Sequence, residues 1–154
     1  MADEEAAWHR HVAIEQFNRT WDLLDQETRD ADEDAALLEA AFTSRFHWGV
    51  VGGASQWAVG DGQIARVAAA LGLADLAVGY ALRSLTTVEA EGWTDFHLVS
   101  AWEVLARAYA ASGRADARAH ALDRATAALG AVDDEEDRQV LAEQLASVPE
   151  AKDG

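Results

Sequence analysis

Residues Ile64–Asp75 read IARVAAALGLAD, and residues Leu105–Asp116 read LARAYAASGRAD. At an offset of 41, seven of the twelve positions are identical: Ala65/Ala106, Arg66/Arg107, Ala69/Ala110, Ala70/Ala111, Gly72/Gly113, Ala74/Ala115 and Asp75/Asp116. Alanine matches come cheaply in a chain with 35 alanines, but paired Arg, Gly and Asp do not. Each copy is an apolar helical run closed by a glycine, which is how stacked helical hairpins read in sequence.

Working outward from the repeat, the spacing predicts further helices. Toward the C-terminus they cover Thr94 to Ser112, Ala115 to Leu129 and Asp133 to Ser147, closed by Gly113, Gly130 and Pro149. Thr94 or Asp95 can cap the first of these. Toward the N-terminus, Ala74 to Glu91 ends at Gly92, and a helix starting at Ser55 or Gln63 ends at Leu71. Before these stands a glycine-rich stretch, Gly49 to Gly62, in which Ala54 to Val59 is compatible with a helix start. A helix opened by the acidic block Asp30 to Asp34 should fail near Gly49 to Gly53. A first helix should run from Asp3 to Thr28, with Ile14, Phe17, Trp21 and Leu24 as its apolar seam. No useful segment alternates with period two. The expected fold is all-α, with six or seven helices in antiparallel hairpins. One domain spans residues 1–148: N-terminal helices in 1–53, two repeat-like hairpins in 62–130 and a capping helix in 133–147. Residues 149–154 are expected to be a frayed tail.

Composition agrees and excludes much else. The chain has 154 residues, is 50% hydrophobic and 26% charged, and has one proline and no cysteine. Disulfides, thiolate catalysis and sulfur-ligated metals are therefore excluded. Twelve basic against twenty-eight acidic residues give a net charge of −16, which argues against nucleic acid and against an anionic membrane surface. MADEEAAW has no apolar signal core, and no apolar run reaches membrane-spanning length, so a cytoplasmic location is expected. The acidic blocks read as helix starts facing the positive end of the dipole.

AWEVLARAYAASGRADARAHALDRA, from Ala101 to Ala125, resembles a tetratricopeptide repeat. Trp102, Leu105, Ala106, Ala108, Tyr109, Gly113, Leu122 and Ala125 stand at that repeat's signature places, and Arg118 departs where the repeat takes a small residue. The earlier copy keeps Gly72, Ala77 and Ala81 but lacks the Trp and Tyr. The chain also resembles a group of small bacterial all-helical proteins with tetratricopeptide-like hairpins. It does so at Ser44–Arg45–Phe46–His47–Trp48, at Gly60–Asp61–Gly62–Gln63–Ile64–Ala65–Arg66–Val67 and at Trp93–Thr94–Asp95–Phe96. These resemblances imply an α-α superhelix and imply no activity.

In such repeats the first helix of each hairpin lines the concave face, which would place Arg66 and Arg107 together. Two readings follow. The arginines form a fork for an anionic ligand, with Glu103 one turn before Arg107, or each pairs with a local acid such as Glu103 or Asp61. Six tryptophans are unusual in a chain this size. Trp21 and Trp102 fit core positions, whereas Trp48, Trp57 and Trp93 could wall an aromatic pocket near His47 and Arg66. His47 is the candidate acid or base, with Asp61, Asp95 and Glu103 as candidate catalytic partners. His9 and His11 face different sides of a helix, and neither H-E-x-x-H nor Glu-x-x-His occurs. His97 and His120 read as surface or packing residues. No P-loop and no serine-nucleophile elbow is found, so no cofactor and no metal is expected.

The leading functional expectation is a helical scaffold that binds a peptide, a protein tail or a second copy of itself. Its groove would be lined by Arg66, Arg107, Glu103, Trp48, Trp57 and Trp93, and its partners would be an anionic small ligand or an acidic peptide, or a homo-oligomer. The alternative is a small enzyme or small-ligand binder with an enclosed Trp/His/Arg/carboxylate pocket.

Overall fold

A computed structural model describes residues 2–153. Among the described residues there are seven helices and no strand: α1 (Ala2–Leu24), α2 (Ala31–Val51), α3 (Ala54–Ala70), α4 (Ala74–Glu91), α5 (Phe96–Ala111), α6 (Ala115–Leu129) and α7 (Glu135–Ala146). Adjacent helices pair as hairpins, α1 with α2, α3 with α4 and α5 with α6. Successive hairpins stack through α2 on α3, α4 on α5 and α3 on α5, and α7 closes the stack against α5 and α6. Residues 2–51 therefore add a third hairpin in front of the two that the repeat marks.

Local chemistry sets the boundaries. Asp30 caps α2 in a reciprocal box with Glu33, and Asp95 and Asp134 cap α5 and α7. The acidic blocks thus sit at helix starts. Gly72, Gly92 and Gly113 have φ of 74°, 71° and 72°, a left-handed turn that only glycine takes without strain. Gly130 instead stays right-handed. α1 ends at Leu24, four residues before the expected Thr28, because Arg29 bonds the exposed carbonyls of Leu23 and Leu24 and also pairs with Asp34. Most of the glycine-rich stretch is helical. At Gly60 a Cβ would stand 2.8 Å from Arg45 Cδ, so the missing side chain lets Arg45 cross α3.

Alanine brings the helices close. Ala65, Ala68, Ala77, Ala81, Ala106, Ala108 and Ala121 are fully buried in the core shared by α3 to α6. Leu37, Ile64 and Val67 join the first hairpin to the second, and Val99, Val132 and Leu141 seat α7. Side-chain bonds to helix carbonyls fix the packing further. Ser44 donates to Ala13 O at 2.7 Å, Gln63 to Phe17 O at 3.0 Å and Ser84 to Ala58 O at 2.8 Å. A buried carbonyl bonded this way keeps a partner outside its own ladder.

The segment after α7 is docked, where fraying was expected. Arg118 donates from Nε to Pro149 O at 2.6 Å and from Nη2 to Val148 O at 3.2 Å. The Lys152 N–H donates to Ala110 O at 2.9 Å. Arg118 thus holds the returning chain against α6. No helix among the described residues is long and apolar enough to cross a membrane.

Candidate functional site

Glu103 lies on α5 and is 1% exposed. Arg66, from α3, donates to its Oε2 at 2.5 Å, and Arg107, one turn along α5, donates to its Oε1. The two repeat-equivalent arginines thus share one carboxylate. The reason is visible in the repeat itself. Glu103 stands four residues before Arg107, whereas Gly62 stands four residues before Arg66, so Arg66 has no acid one turn back on α3 and reaches across to α5. Arg107 also donates from Nη2 to Gln144 O at 2.9 Å and to Ser147 Oγ at 2.6 Å, supplying the positive charge that the end of α7 lacks.

The Arg66 guanidinium carbon lies 5.2 Å from the Trp21 ring centroid, a cation–π distance. Burial pushes the Arg66 pKa down, Glu103 opposes that and Arg107 adds to it; arginine nonetheless remains a cation at any working pH. Only Arg66 Nη2 is engaged by Glu103, which leaves Nε and Nη1 as donors. A cleft of about 420 Å³ opens beside this group, bordered by Trp21, Arg66, Arg107 and Lys152 together with the acids Asp25 and Glu150. A second cavity of about 130 Å³ shares Trp21 and Arg66 as lining and lies among Phe17, Val88, Phe96 and His97.

The other candidates lie in separate places. Asp61 is buried on α3, where Arg45 donates to Oδ1 at 2.8 Å and Arg83 reaches Oδ2 at 3.5 Å. His47 is buried against α1, its Nδ1 2.7 Å from Nδ1 of His9, with Trp8 and Phe46 edge-on. One of these nitrogens must carry the proton and the other accept it. Burial first, and His9 second, push the His47 pKa below its usual value. Trp48 borders a third cavity, Trp57 is partly exposed and donates to Trp48 O, and Trp93 packs on the core cluster. His47, Asp61, Asp95 and Glu103 thus each have different partners, and of the three tryptophans Trp57 meets Trp48 while Trp93 packs on the core cluster. Among the described residues no three His, Asp or Glu side chains converge as metal ligands would.

Asp95 leads to a residue that spacing did not single out. Its Oδ1 accepts from His97 Nδ1 at 2.7 Å, and His97 Nε2 lies 2.8 Å from Ser55 Oγ. The imidazole lies against Phe96 at 4.0 Å and Trp93 at 4.4 Å between ring centroids. Burial pushes the Asp95 carboxyl up, but hydrogen bonds from the His97 backbone and ring outweigh it and hold the carboxyl below its ordinary value. The available signals were Asp95-x-His97, and Gly53-x-Ser55 at a helix start. Nothing in the sequence joins α3 to α5 across 42 residues.

Compared with protein families, with curated proteins and with solved structures, the chain matches none.

Proposed function

We propose that the protein is a tetratricopeptide-like binding module whose cleft between α1, α3 and α5 takes an acidic peptide or protein tail. A ligand carboxylate would sit on the free edge of Arg66, over Trp21, with Arg107 and Lys152 alongside. The observation that carries this reading is the half-used guanidinium of Arg66. It is held rigid by Glu103 below and Trp21 beside it, with two donors left on the border of a 420 Å³ cleft. Three stacked hairpins, with glycine turns of matching φ after α3 and α5, support the repeat assignment. A planar fork suits a carboxylate, and preorganisation lowers the entropy cost of holding it.

The test is a thermal-shift and fluorescence-polarisation panel with labelled peptides ending in Glu or Asp, lysine-ended controls and small carboxylates. A peptide at a hundred times its Kd should stabilise the protein by about 2.7 kcal/mol. Binding should weaken at least tenfold in the Arg66→Ala/Lys152→Ala double variant and fall with added salt. Equal binding by the double variant, or equal binding of the lysine-ended peptides, overturns the reading. A response to small carboxylates alone favours the small-ligand alternative instead.

A further inference from the structure

Ser55, His97 and Asp95 lie apart from the arginine cleft and form a hydrogen-bonded relay. Asp95 accepts from His97 Nδ1 at 2.7 Å, which leaves Nε2 free to accept, and Ser55 Oγ lies 2.8 Å from that nitrogen. This is the order of contacts that a serine nucleophile, its general base and the orienting acid require, and such a set is recognised by geometry and not by chain order. The ring is held firmly. Its side chain is 10% exposed, it is flanked by Phe96 and Trp93, and Asp95 Oδ1 also accepts the His97 backbone N–H at 3.0 Å.

We propose that Ser55, His97 and Asp95 form a serine-type hydrolytic centre acting on carboxylic esters with a short apolar acyl chain. Two further observations support it. Ser55 is the second residue of α3, and the first backbone bond of that helix is Trp57 N–H to Gly53 O at 3.0 Å. The N–H groups of Ala54, Ser55 and Gln56 therefore have no acceptor within the helix, and they supply donors for an oxyanion formed beside Ser55. Ser55 also borders an apolar cavity of about 200 Å³ with Ile14, Phe17, Trp48 and Val59, a chamber for an acyl chain.

The step balances with water alone. Ser55 Oγ bonds to the ester carbonyl carbon while its proton passes to His97 Nε2. Collapse of the tetrahedral intermediate breaks the ester C–O bond, and His97 returns the proton to the departing alcohol. Water then attacks the acyl-serine, giving its proton to His97. The Ser55–acyl bond breaks, and Ser55 recovers the proton. One ester and one water become one acid and one alcohol.

The test uses the full chain with a fluorophosphonate probe, peptide mapping of the adduct, and p-nitrophenyl butyrate hydrolysis. Expected results are a single adduct at Ser55, no adduct in His97→Gln, and a fall in hydrolysis of about 10²–10⁴-fold in Ser55→Ala and in His97→Gln. Ser55→Ala removes one oxygen and should keep the wild-type melting curve, so loss of rate there is not loss of fold. An unlabelled Ser55, or an unchanged rate in Ser55→Ala, overturns the proposal; the latter would assign the hydrolysis to other imidazoles.

Discussion

Arg66 and Arg107, equivalent residues of successive hairpins, hold opposite oxygens of the same buried carboxylate. The α3/α4 and α5/α6 hairpins each contribute a cation, and only α5/α6 contributes an acid. The stack therefore depends on one anion at its centre. Taking Glu103 to Gln keeps the shape and a hydrogen-bond acceptor but leaves two guanidiniums facing each other without a counter-charge. Removing one partner from a buried ionic group costs about 3–5 kcal/mol. The urea midpoint of Glu103→Gln should fall accordingly, and a change below about 1 kcal/mol would mean that the two arginines find other partners.

A pH dependence follows from His47. Burial and the facing His9 lower its pKa in the folded chain, with Glu5 3.9 Å from the far nitrogen of His9. Between that lowered value and the ordinary value of about 6.5, the unfolded chain binds more protons at this position than the folded one. Stability therefore rises with pH across that window, is complete above it, and is lost as pH falls through it. His47→Gln should show a shallower slope of urea midpoint against pH between about pH 7.5 and 5. Parallel slopes for wild type and variant would rule out His47 as the source.

Gly72 and Gly113 should differ although they occupy the same turn. Both have left-handed φ, so alanine at either costs about 1–2 kcal/mol in backbone strain. At Gly72 the added Cβ meets the mobile end of Lys152 at 3.4 Å, but at Gly113 it meets Lys152 O, a backbone atom, at 3.0 Å. Gly113→Ala is therefore expected to melt lower than Gly72→Ala. The reverse order in calorimetry would show that the segment around Lys152 gives way easily.

Arg118→Ala should release residues 148–152 without unfolding the helices. Amide exchange at Lys152, whose N–H bonds Ala110 O, should speed up at least tenfold, while amides within α5 keep their protection. Unchanged exchange at Lys152 would mean that Val148 alone, buried against the core, secures the segment.

Features that rest on neighbours in sequence were legible. The matching of Gly72 with Gly113, the acidic helix starts, and Glu103 one turn before Arg107 all follow from local spacing, and all appear in the structure. The pairs that build the candidate sites do not follow from local spacing, although Glu103 stood among the acids named as partners for the two arginines. Arg66 with Glu103, His9 with His47, and Ser55 with His97 are separated by 37, 38 and 42 residues. Helical periodicity gives the face of a helix on which a residue lies, but not which residue of the next hairpin it will meet. Likewise, the glycine-rich stretch left the start of α3 open between Ser55 and Gln63, because propensity counts the cost of glycine in a helix and not the room that Gly60 gives Arg45 to cross.

The segment after α7 changes how such a stack can come apart. An open array of hairpins melts from its ends, one unit at a time, because each unit contacts only its neighbours. Here Arg118 holds Val148 and Pro149, while Lys152 bonds Ala110 and lies beside the turn at Gly72. One strap therefore crosses the turns of two successive hairpins. Neither can peel away while the strap is seated, so α3 to α6 behave as a belted unit and should melt together in one sharp transition.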